Sequence, residues 1–381
     1  MDNENTTRAV IKFAAIDPYI QENIPSPVET VLKGKNRVQW GSDNLYPDYL
    51  LELTKTVPTL RSIINGTTDF VTGDTQTILP LVEGYAPGVM NTAGGTIREL
   101  VDDMARNWLT YGGIALQVIR SWDGKPVEIY CLETRFVRSN KENTVFYYSE
   151  KWGKGYHDMV EYPAYMDIQP DRWAQMSDEQ RNSNASSILF VKADRTQVYP
   201  FPVYGPAVKA CETERAIDDY HLNAINNGFE GSAIVNFNNG IPSDEMKEEI
   251  EKDLLEKTSG HQNAGRILCS WNPNKESATT IETIKVEDYG DRYNTLANRC
   301  RQQIFTAFRA VPSLFGILTE SKGFSEEEFV QAFRLYNRTT VRPIQRTICD
   351  CLDRIYGQHG VLTITPFSIE ETATGNEQKV N

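Results

Sequence analysis

The stretch GPAVKACETERAIDDYHLNAINNG, from Gly205 to Gly228, decides the fold of the second half of the chain. It predicts one long helix, because Pro206 stands near its start and Gly228 follows its last periodic residue. A second helix of nearly equal length is predicted from about Glu287 to Ala310. At the helical rise of 1.5 Å per residue, each helix would be about 33–36 Å long. Two matched helices separated by a compact insert predict a hairpin arm with a small domain at its tip.

The insert between the two helices combines strands with one acidic helix. The predicted order is a strand SAIVNF, a helix SDEMKEEIEKDLLEKTSG, and two strands, GRILCSW and ATTIETIKV. Strands SAIVNF and ATTIETIKV cannot form much of a sheet inside one small insert. Pairing with a neighbouring copy of the chain would satisfy their edges. The sequence therefore predicts a βαββ insert that takes part in self-association.

The stretch VPSLFGILTESKGFSEEEF, from Val311 to Phe329, interrupts the helical pattern. Pro312 ends the second long helix, and about a dozen residues without helical pattern follow it. Ser325 is a suitable N-cap, and the glutamates after it are favoured by the dipole of a new helix. This third helix is predicted from Glu326 to Tyr356. A loop in this position predicts a segment that projects from the protein and contacts another molecule.

The first half of the chain predicts one α+β domain, from residue 41 to about residue 200. In GTIRELVDDMARNWLTYGG an apolar stripe recurs at helical spacing and ends at two glycines. The stripe consists of Ile97, Leu100, Val101, Met104 and Trp108. Strands IALQVIR and PVEIYCL flank Asp123-Gly124, a hairpin signal, and VFYYS and SILFVK predict two more strands. The stretch from Trp152 to Asn184 lacks a clear period and predicts surface elaboration.

Charge and composition argue against several functional classes. The 381 residues carry a formal net charge of -13, whereas proteins that grip nucleic acid by its phosphates are usually basic. No apolar run is long enough to span a membrane. The opening MDNENTTRAV lacks the apolar core of a signal peptide, so intracellular folding is expected. Under those conditions the six scattered cysteines predict reduced thiols rather than disulfides.

The sequence contains no Walker loop, GxGxxG after a strand, HExxH, CxxC or GxSxG motif. His157 lies beside Asp158 and Glu161, and a surface loop is favoured there over a metal-binding fragment. His221 shares the first long helix with Cys211 and predicts a core or interface position rather than a ligand. Carboxylates that alternate with lysines on the insert helix predict a solvated face: Glu248, Glu249, Glu251 and Asp253. We therefore expect no catalytic residue, no cofactor and no metal.

Arginines recur at every fourth position of the third helix and so stay on one side of it. They are Arg334, Arg338, Arg342 and Arg346. Three interpretations are open: a solvent-facing stripe, a contact with nucleic acid, or a subunit interface in which arginine meets carboxylates. The first long helix offers such carboxylates at Glu212, Glu214, Asp218 and Asp219.

The order of these elements resembles that of bacteriophage portal proteins, in particular the portals of tailed phages of the HK97 type. The likeness extends over roughly residues 40 to 357, and order and spacing carry it rather than one sharp motif. Its segments are WGSDNLYPDYLLEL with TLRSIINGTTDFVTG, LTYGGIALQVIRSWDGKPVEIYCLETRFVR, VYGPAVKACETERAIDDYHLNAINNGFEGSAIVNF, NAGRILCSW, FTAFRAVPSLFGI, and EEFVQAFRLYNRTTVRPIQRTICDCLDRI with its internal Pro343.

The resemblance implies a portal fold of the α+β class. Its parts would be an N-terminal arm (1–40), an α/β wing (41–204), a first stem helix (205–228), a small βαββ clip (229–286), a second stem helix (287–311), a tunnel loop (312–325), a long kinked tunnel helix that returns to the wing (326–357), and a short C-terminal strand and tail (358–381). The short C-terminal end departs from portals with a large helical crown, so any crown here is expected to be minimal.

The resemblance also implies partners and a location. Identical subunits would form a ring, usually a dodecamer, at one vertex of a capsid, and double-stranded DNA would enter and leave through its channel. The large terminase would dock during packaging and a head–tail adaptor would replace it, with the major capsid or scaffold protein around the ring. The expected location is the virion, and the host cytoplasm during assembly, without a membrane. Another structural virion connector or adaptor is the alternative, and a hydrolase or nuclease acting through Asp158 and Glu161 is the least favoured.

An acidic channel wall would suit a DNA conduit. Duplex DNA carries one phosphate charge per about 1.7 Å, so a basic wall would bind it strongly, whereas an acidic wall repels it and leaves a hydrated gap. The carboxylates of the first stem helix are the candidates for this wall: Glu212, Glu214, Asp218 and Asp219.

The tunnel loop would then project into the channel with Glu320, Ser321 and Lys322 facing DNA. Lys322 is the only cation between Pro312 and Gly323, so each subunit would touch a phosphate weakly and release it. Gly316 and Gly323 supply backbone freedom at either side. The sequence thus predicts a mobile constriction, and an ordered loop between subunits is the alternative.

Overall fold

The computed structural model describes residues 28–31, 36–78, 90–153, 158–226, 233–237, 243, 245–246, 267–271, 289–316 and 326–367. Its strands are β1 Glu29–Val31, β2 Val38–Trp40, β3 Thr75–Ile78, β4 Gly113–Arg120, β5 Pro126–Leu132, β6 Val137–Ser139, β7 Val145–Tyr148, β8 Val160–Pro163, β9 Ser186–Lys192, β10 Ala233–Phe237, β11 Ile267–Trp271 and β12 Leu362–Thr365. Its α-helices are α1 Tyr46–Thr56, α2 Pro58–Thr72, α3 Ile97–Tyr111, α4 Pro170–Ala174, α5 Asp178–Asn184, α6 Val208–Asn226, α7 Tyr289–Phe308, α8 Glu326–Tyr336 and α9 Arg342–Tyr356.

The chain forms two compact units of mixed α/β character. Unit 1 comprises Met1–Glu52, Thr67–Pro202 and Val341–Asn381, and unit 2 comprises Leu53–Gly66 and Val203–Thr340. The end of α1 and the start of α2 therefore group with the long helices of unit 2. This grouping follows from their apolar side chains, because Leu53, Leu60 and Ile63 are fully buried.

Unit 1 is built on two antiparallel sheets, in the strand orders β5-β4-β9 and β6-β7-β8. β4 is the central strand of the first sheet, and Ala115 pairs with Leu132 of β5 and Phe190 of β9. Side chains from both sheets form one apolar core: Ala115, Val137, Phe146 and Ile188. A third pairing joins β12 to β3. The four strands predicted for this part of the chain are thereby confirmed as β4, β5, β7 and β9.

Helix α3 confirms the predicted amphipathic helix and has defined ends. At its start, Thr96 and Glu99 form a reciprocal capping box, which satisfies otherwise unpaired N–H groups. At its end, Gly112 adopts a φ of 80°, and a Cβ atom there would lie 2.4 Å from the carbonyl oxygen of Phe201. The close approach requires glycine at this position. The hairpin at Asp123-Gly124 is confirmed as well, because Gly124 N–H donates to the Ser121 carbonyl at 2.9 Å between β4 and β5.

The predicted N-terminal arm, residues 1–40, includes the strands β1 and β2, which pair with each other. Val38 and Trp40 of β2 are buried in unit 1, and Trp40 stacks on Tyr199 at 4.6 Å between ring centres. Glu29 accepts hydrogen bonds from the backbone of Val198 and Tyr199. The apolar side chains of β2 explain why this part of the predicted arm is buried in unit 1. Moving a large apolar ring out of water lowers the free energy. Residues 1–27 and 32–35 lie outside the described residues.

The stretch from Trp152 to Asn184 is more ordered than its irregular pattern predicted. It contains β8, α4 and α5, and Trp152, Tyr165 and Trp173 are buried. Trp173 packs over the backbone of Gly124, and its Nε1–H donates to the Trp122 carbonyl at 2.9 Å. Widely spaced aromatic anchors, rather than a periodic stripe, hold this segment on the sheet, so periodicity could not reveal it.

Arg138 is a fully buried cation in unit 1. Its Nε donates to Asn44 Oδ1 at 2.7 Å, and its Nη1 and Nη2 donate to the carbonyl oxygens of Arg135 and Asn44 at 2.7 and 2.6 Å. The guanidinium also lies 4.9 Å from the ring centre of Trp152. Carbonyl dipoles and the face of an indole thus replace water around the charge.

The long helices of unit 2 follow the prediction with local changes. Residues Gly205–Ala207 form a 3-10 turn ahead of α6, and another 3-10 turn, Pro312–Phe315, stands where an irregular loop was predicted to start. Helices α6 and α7 pack against each other. With 19 and 20 residues, each is about 30 Å long.

The third helix is not continuous, because a π-helical segment, Asn337–Val341, separates α8 from α9. Pro343 explains the interruption, since it lacks the N–H that would bond to the carbonyl of residue 339 and its ring crowds that turn. Of the insert, the described residues include β10 and β11, which pair in parallel. The strand ATTIETIKV and most of the acidic helix, with Glu248, Glu249, Glu251 and Asp253, lie outside the described residues. No helix in the described ranges is long and apolar enough to cross a membrane.

Candidate functional site

The carboxylates predicted on the first long helix fall into two pairs of opposite exposure. Glu212 and Glu214 are 7% and 4% exposed, whereas Asp218 and Asp219 face solvent. Glu214 is buried because it shares one helical stripe with apolar Ala210 and Ile217. The prediction that all four carboxylates line a wall therefore needs correction: only Asp218 and Asp219 present their charges to water.

Glu214 lies where α2, α6 and α7 meet inside unit 2. Thr59 Oγ1 donates to Glu214 Oε1 at 2.6 Å, and Arg301 Nε lies 3.9 Å from the same oxygen. Glu214 Oε2 is buried and has no hydrogen-bond partner among the described residues. Burial raises the pKa of this carboxyl, because desolvation disfavours the charged form more than Thr59 and Arg301 favour it. Glu212 is better balanced, with Arg215 Nη2 at 2.9 Å.

An aromatic cluster joins α6 to α7 farther along the pair. Tyr220 stacks on Tyr293 at 4.9 Å between ring centres, and His221 meets both rings edge-on at 5.7 and 5.4 Å. Tyr220 nevertheless remains 48% exposed. The arrangement gives His221 an aromatic packing role, in line with the expectation of a core or interface position.

Phe315 anchors the chain where the predicted tunnel loop begins. Its ring lies 6.0 Å from Phe305 of α7 and 5.7 Å from Tyr336 of α8, and a Cβ atom added at Gly66 would lie 3.0 Å from it. Ser62 Oγ donates to the Phe315 carbonyl at 3.3 Å. Gly316 follows at a φ of +78°, and a Cβ atom added there would meet no other atom of the described residues within 4 Å. Glu320, Ser321 and Lys322 lie outside the described residues.

All four arginines of the predicted stripe are exposed: Arg334, Arg338, Arg342 and Arg346. Arg334 and Arg338 flank Leu335, which is 61% exposed. Exposure suits the solvent-facing, the interface and the nucleic-acid interpretations equally. The contacts of these side chains within the described residues therefore leave the three alternatives open.

The thiols of α6 and α7 in unit 2 have low reactivity. Cys211 of α6 and Cys300 of α7 are free and buried. Burial raises the pKa of Cys211 to about 12, and it also raises the pKa of Cys300. Both side chains are therefore neutral near pH 7 and behave as small apolar groups.

Metal-binding and catalytic candidates do not gather into a site within the described ranges. No group of three His, Cys, Asp or Glu side chains there could hold a metal ion. Asp158 and Glu161 are exposed, and His157 lies outside the described residues. The cavities of unit 1 include one of about 290 Å³ and one of about 450 Å³, and Arg354 contributes to the lining of both.

Several residues that organise unit 2 had no marker in the sequence. Thr59 and Gly66 lie in a helix far along the chain from their partners Glu214 and Phe315. The buried position of Glu214 had a usable signal, because the residue falls in phase with Ala210, Cys211 and Ile217. The phase of the stripe thus carried more information than the charge of the side chain.

A family model described as phage portal protein matches residues 92–366 of the chain. The match covers well over half of the sequence, and it includes most of unit 1 together with the long helices of unit 2. The chain belongs to the phage portal protein family. The family predicted from the order of the elements is thereby confirmed, and no match was found among curated proteins.

Solved structures share the fold at low sequence identity. A chain from the neck of an empty gene transfer agent (GTA) particle, computed with C6 symmetry, matches with a TM-score of 0.53 and 16% identity over 85% of each chain. A chain from the neck of a native GTA particle, computed with C12 symmetry, matches with a TM-score of 0.51 and 16% identity over 86% of each chain. A phage portal protein of the HK97 family from Corynebacterium diphtheriae gives a TM-score of 0.49 and 10% identity, over 84% of this chain and 98% of the other.

Proposed function

We propose that this chain is the subunit of a portal ring at one vertex of a tailed-phage-like capsid, through which double-stranded DNA enters during packaging and leaves during ejection. The family match over residues 92–366 carries this proposal. The likeness to neck chains solved with C6 and C12 symmetry supports a ring, with twelve copies as the expected number. The protein would act as a structural connector and not as an enzyme. It would occupy the virion, after assembly in the host cytoplasm.

The parts of the fold would divide this work. The α/β wing (41–204) would face the capsid or scaffold protein, and the paired helices α6 and α7 would form the stem around the channel. The clip (229–286) would be the docking site first for the large terminase and then for the head–tail adaptor. The parallel pair β10–β11 supports a compact clip, because parallel strands need a crossover connection between them.

The tunnel loop (312–325) would narrow the channel. Its base is supported by the anchor at Phe315 and the turn at Gly316, which together fix where the loop leaves the helices. Lys322 would touch passing phosphates, with Glu320 and Ser321 beside it. Replacing Ile317–Ser325 by a short glycine–serine linker should leave ring formation intact and lower DNA retention. Unchanged genome length and retention in such particles would refute the constriction.

Two roles compete for the exposed carboxylates Asp218 and Asp219. In the first role they line the channel and repel DNA, in accord with the net charge of -13. In the second role they meet arginines of the stripe on a neighbouring subunit, where charge pairs set the register of association. Glu212 and Glu214 are buried in the subunit and would serve neither role directly.

Electron microscopy of the purified chain, viewed along the particle axis, tests the central proposal. Rings with a central hole are expected, with native mass spectrometry counting the subunits. A folded monomer at every concentration would exclude the ring. The alternative, another structural connector or adaptor of the virion, predicts rings that neither bind a terminase nor support packaging, so a packaging assay separates the two functions.

A further inference from the structure

A basic patch lies at the end of α8 and the start of the π-helical segment that follows it, in unit 2. It consists of Leu335, the most exposed large apolar side chain in the described part of the chain at 61%, flanked by exposed Arg334 and Arg338. The three residues fall within one helical turn, so their side chains share one neighbourhood. Neither arginine forms an ion pair with another described residue. The patch therefore places an apolar centre between two cations open to solvent.

An acidic patch of the same design stands on α6. Its apolar centre is Leu222, 58% exposed, and exposed Asp218 and Asp219 precede it by four and three residues. This spacing brings both carboxylates beside the leucine on the helix surface. The nearest cation on the same helix, Arg215, is held by Glu212 at 2.9 Å. Neither aspartate forms an ion pair with another described residue.

We infer that the basic patch of one subunit binds the acidic patch of the next. Each patch pairs one leucine with two charges of a single sign, and the signs are opposite. Leucine against leucine would bury the apolar centres, while arginine forks around them would meet the aspartates at the rim. Both patches are exposed within the chain, so a second copy is the occupant that satisfies them. The inference rests on the proposed ring and adds the residues that hold it together.

The contact is heterologous, because two different surfaces of the same chain meet. Such a contact leaves one free patch of each kind at the ends of every open oligomer. Association can therefore stop only when the last copy meets the first, which gives a closed ring. Asp218 and Asp219 then serve the contact between subunits, and the acidity of a channel wall must come from other carboxylates.

Charge reversal tests the contact with the full-length protein. The variants D218R/D219R and R334D/R338D should each need an about 100-fold higher concentration to form rings, because like charges would then face each other. The variant with all four substitutions restores opposite signs and should assemble within about tenfold of the wild-type concentration. Native mass spectrometry over a concentration series measures these midpoints. Assembly of either reversed variant at the wild-type midpoint, or failure of the four-fold variant to recover, would overturn the pairing.

A second pair of variants is independent of charge. L335S and L222S should each raise the assembly midpoint while leaving far-UV circular dichroism unchanged, because both side chains are exposed in the subunit. E142R, in an exposed turn of unit 1, controls for reversing a surface carboxylate and should assemble as the wild type. If D218R/D219R forms rings normally but retains less DNA, the aspartates line the channel and the contact is refuted. If the wild-type chain never forms rings, the proposed portal function fails instead.

Discussion

Two buried charges, one in each unit, are stabilised to different degrees. Arg138 in unit 1 donates four hydrogen bonds to oxygen atoms of Asn44, Arg135 and Val137, and an indole face lies against its guanidinium. Glu214 in unit 2 has one hydrogen bond from Thr59 and a distant arginine, and one of its oxygens is buried without a described partner. In unit 1, hydrogen bonds thus offset the desolvation cost of Arg138. In unit 2, the desolvation cost of Glu214 is offset only in part.

The difference teaches where each unit obtains its stability. Unit 1 closes two sheets on one core and surrounds Arg138 with oxygen atoms from its own segments. Both units expose large apolar side chains, but Trp122 and Met166 of unit 1 lie in loops, whereas unit 2 exposes leucines and a stacked tyrosine along its helices α6, α7 and α8. Surfaces of this kind gain stability only when another surface covers them. We therefore expect substitutions among the groups that surround Arg138 to lower the stability of unit 1 strongly. Substitutions in unit 2 should change the stability of the subunit weakly and its association strongly.

The largest effect is expected from Arg138→Met. The substitution takes this donor from the carbonyl groups of Asn44, Arg135 and Val137 and, among the described residues, leaves Asn44 Oδ1 with the Trp40 N–H alone. It should lower the free energy of unfolding by about 3–5 kcal/mol. Urea unfolding followed by tryptophan fluorescence measures it. The exposed Arg195→Met is the control and should change stability by less than about 0.5 kcal/mol. If Arg138→Met lowered the free energy of unfolding by less than about 1 kcal/mol, as a surface substitution does, the hydrogen bonds around Arg138 would not stabilise unit 1 as expected.

Gly112→Ala should have the next largest effect. A Cβ atom at this position would lie 2.4 Å from a backbone carbonyl, and the φ of +80° disfavours alanine as well. We expect a loss of about 2 kcal/mol or more. Gly94→Ala separates the two causes, since Gly94 has a similar φ of +84° but open space around it. It should lose only the conformational part, about 1–2 kcal/mol, so equal losses would show that the close approach does not matter.

Gly66→Ala is the matching change in unit 2 and should be nearly neutral. The new Cβ would meet the Phe315 ring at 3.0 Å, but a ring can shift whereas a backbone carbonyl cannot. Alanine also favours the helical conformation of α2 by about 1 kcal/mol, which offsets the crowding. The urea midpoint should therefore stay within about 1 kcal/mol of the wild type. A loss as large as that of Gly112→Ala would show that unit 2 is packed as rigidly as unit 1.

The smallest effect is expected from Glu214→Gln, and it depends on pH. Burial raises the pKa of Glu214, so the folded protein holds the proton more tightly than the unfolded chain does. The associated stability is present below the unfolded pKa and is lost as pH rises through the folded pKa. Glutamine keeps the acceptor for Thr59 and carries no charge at any pH. The variant should therefore match the wild type in acid and exceed it at neutral pH.

Urea midpoints across this pH range test the prediction for Glu214, with the exposed Glu142→Gln as control. The control should follow the wild-type curve throughout. A Glu214→Gln variant that is less stable than the wild type at neutral pH would mean that the carboxylate is needed in its charged form. In that case Arg301, rather than Thr59, would be the partner that matters.

The sequence predicted the elements whose signals are local. The stripe of α3, the turn at Gly124 and the strands around it each depend on residues a few positions apart. The order of the long helices was equally accessible, because proline and glycine mark their ends. That order was sufficient to identify the family.

Contacts between distant segments could not be predicted in the same way. Nothing near Thr59 indicates that its hydroxyl would reach Glu214, and nothing near Gly66 indicates the ring of Phe315. The sequence shows that Pro343 removes one N–H donor from the helix. It does not show that the helix responds by forming a π-helical segment before the proline. The carboxylates of α6 are an intermediate case, because the apolar stripe marks Glu214 as buried whereas nothing local indicates Thr59 as its partner.

The neutral thiols of α6 and α7 can report how often these two helices separate. The thiolate is the form that attacks alkylating reagents, and at a pKa of about 12 Cys211 offers almost none of it near neutral pH. Labelling of Cys211 and Cys300 should then be limited by how often the two helices part. The labelling rates of free subunits and of assembled particles would show how much assembly slows the separation of the two helices. The experiment needs no engineered cysteine.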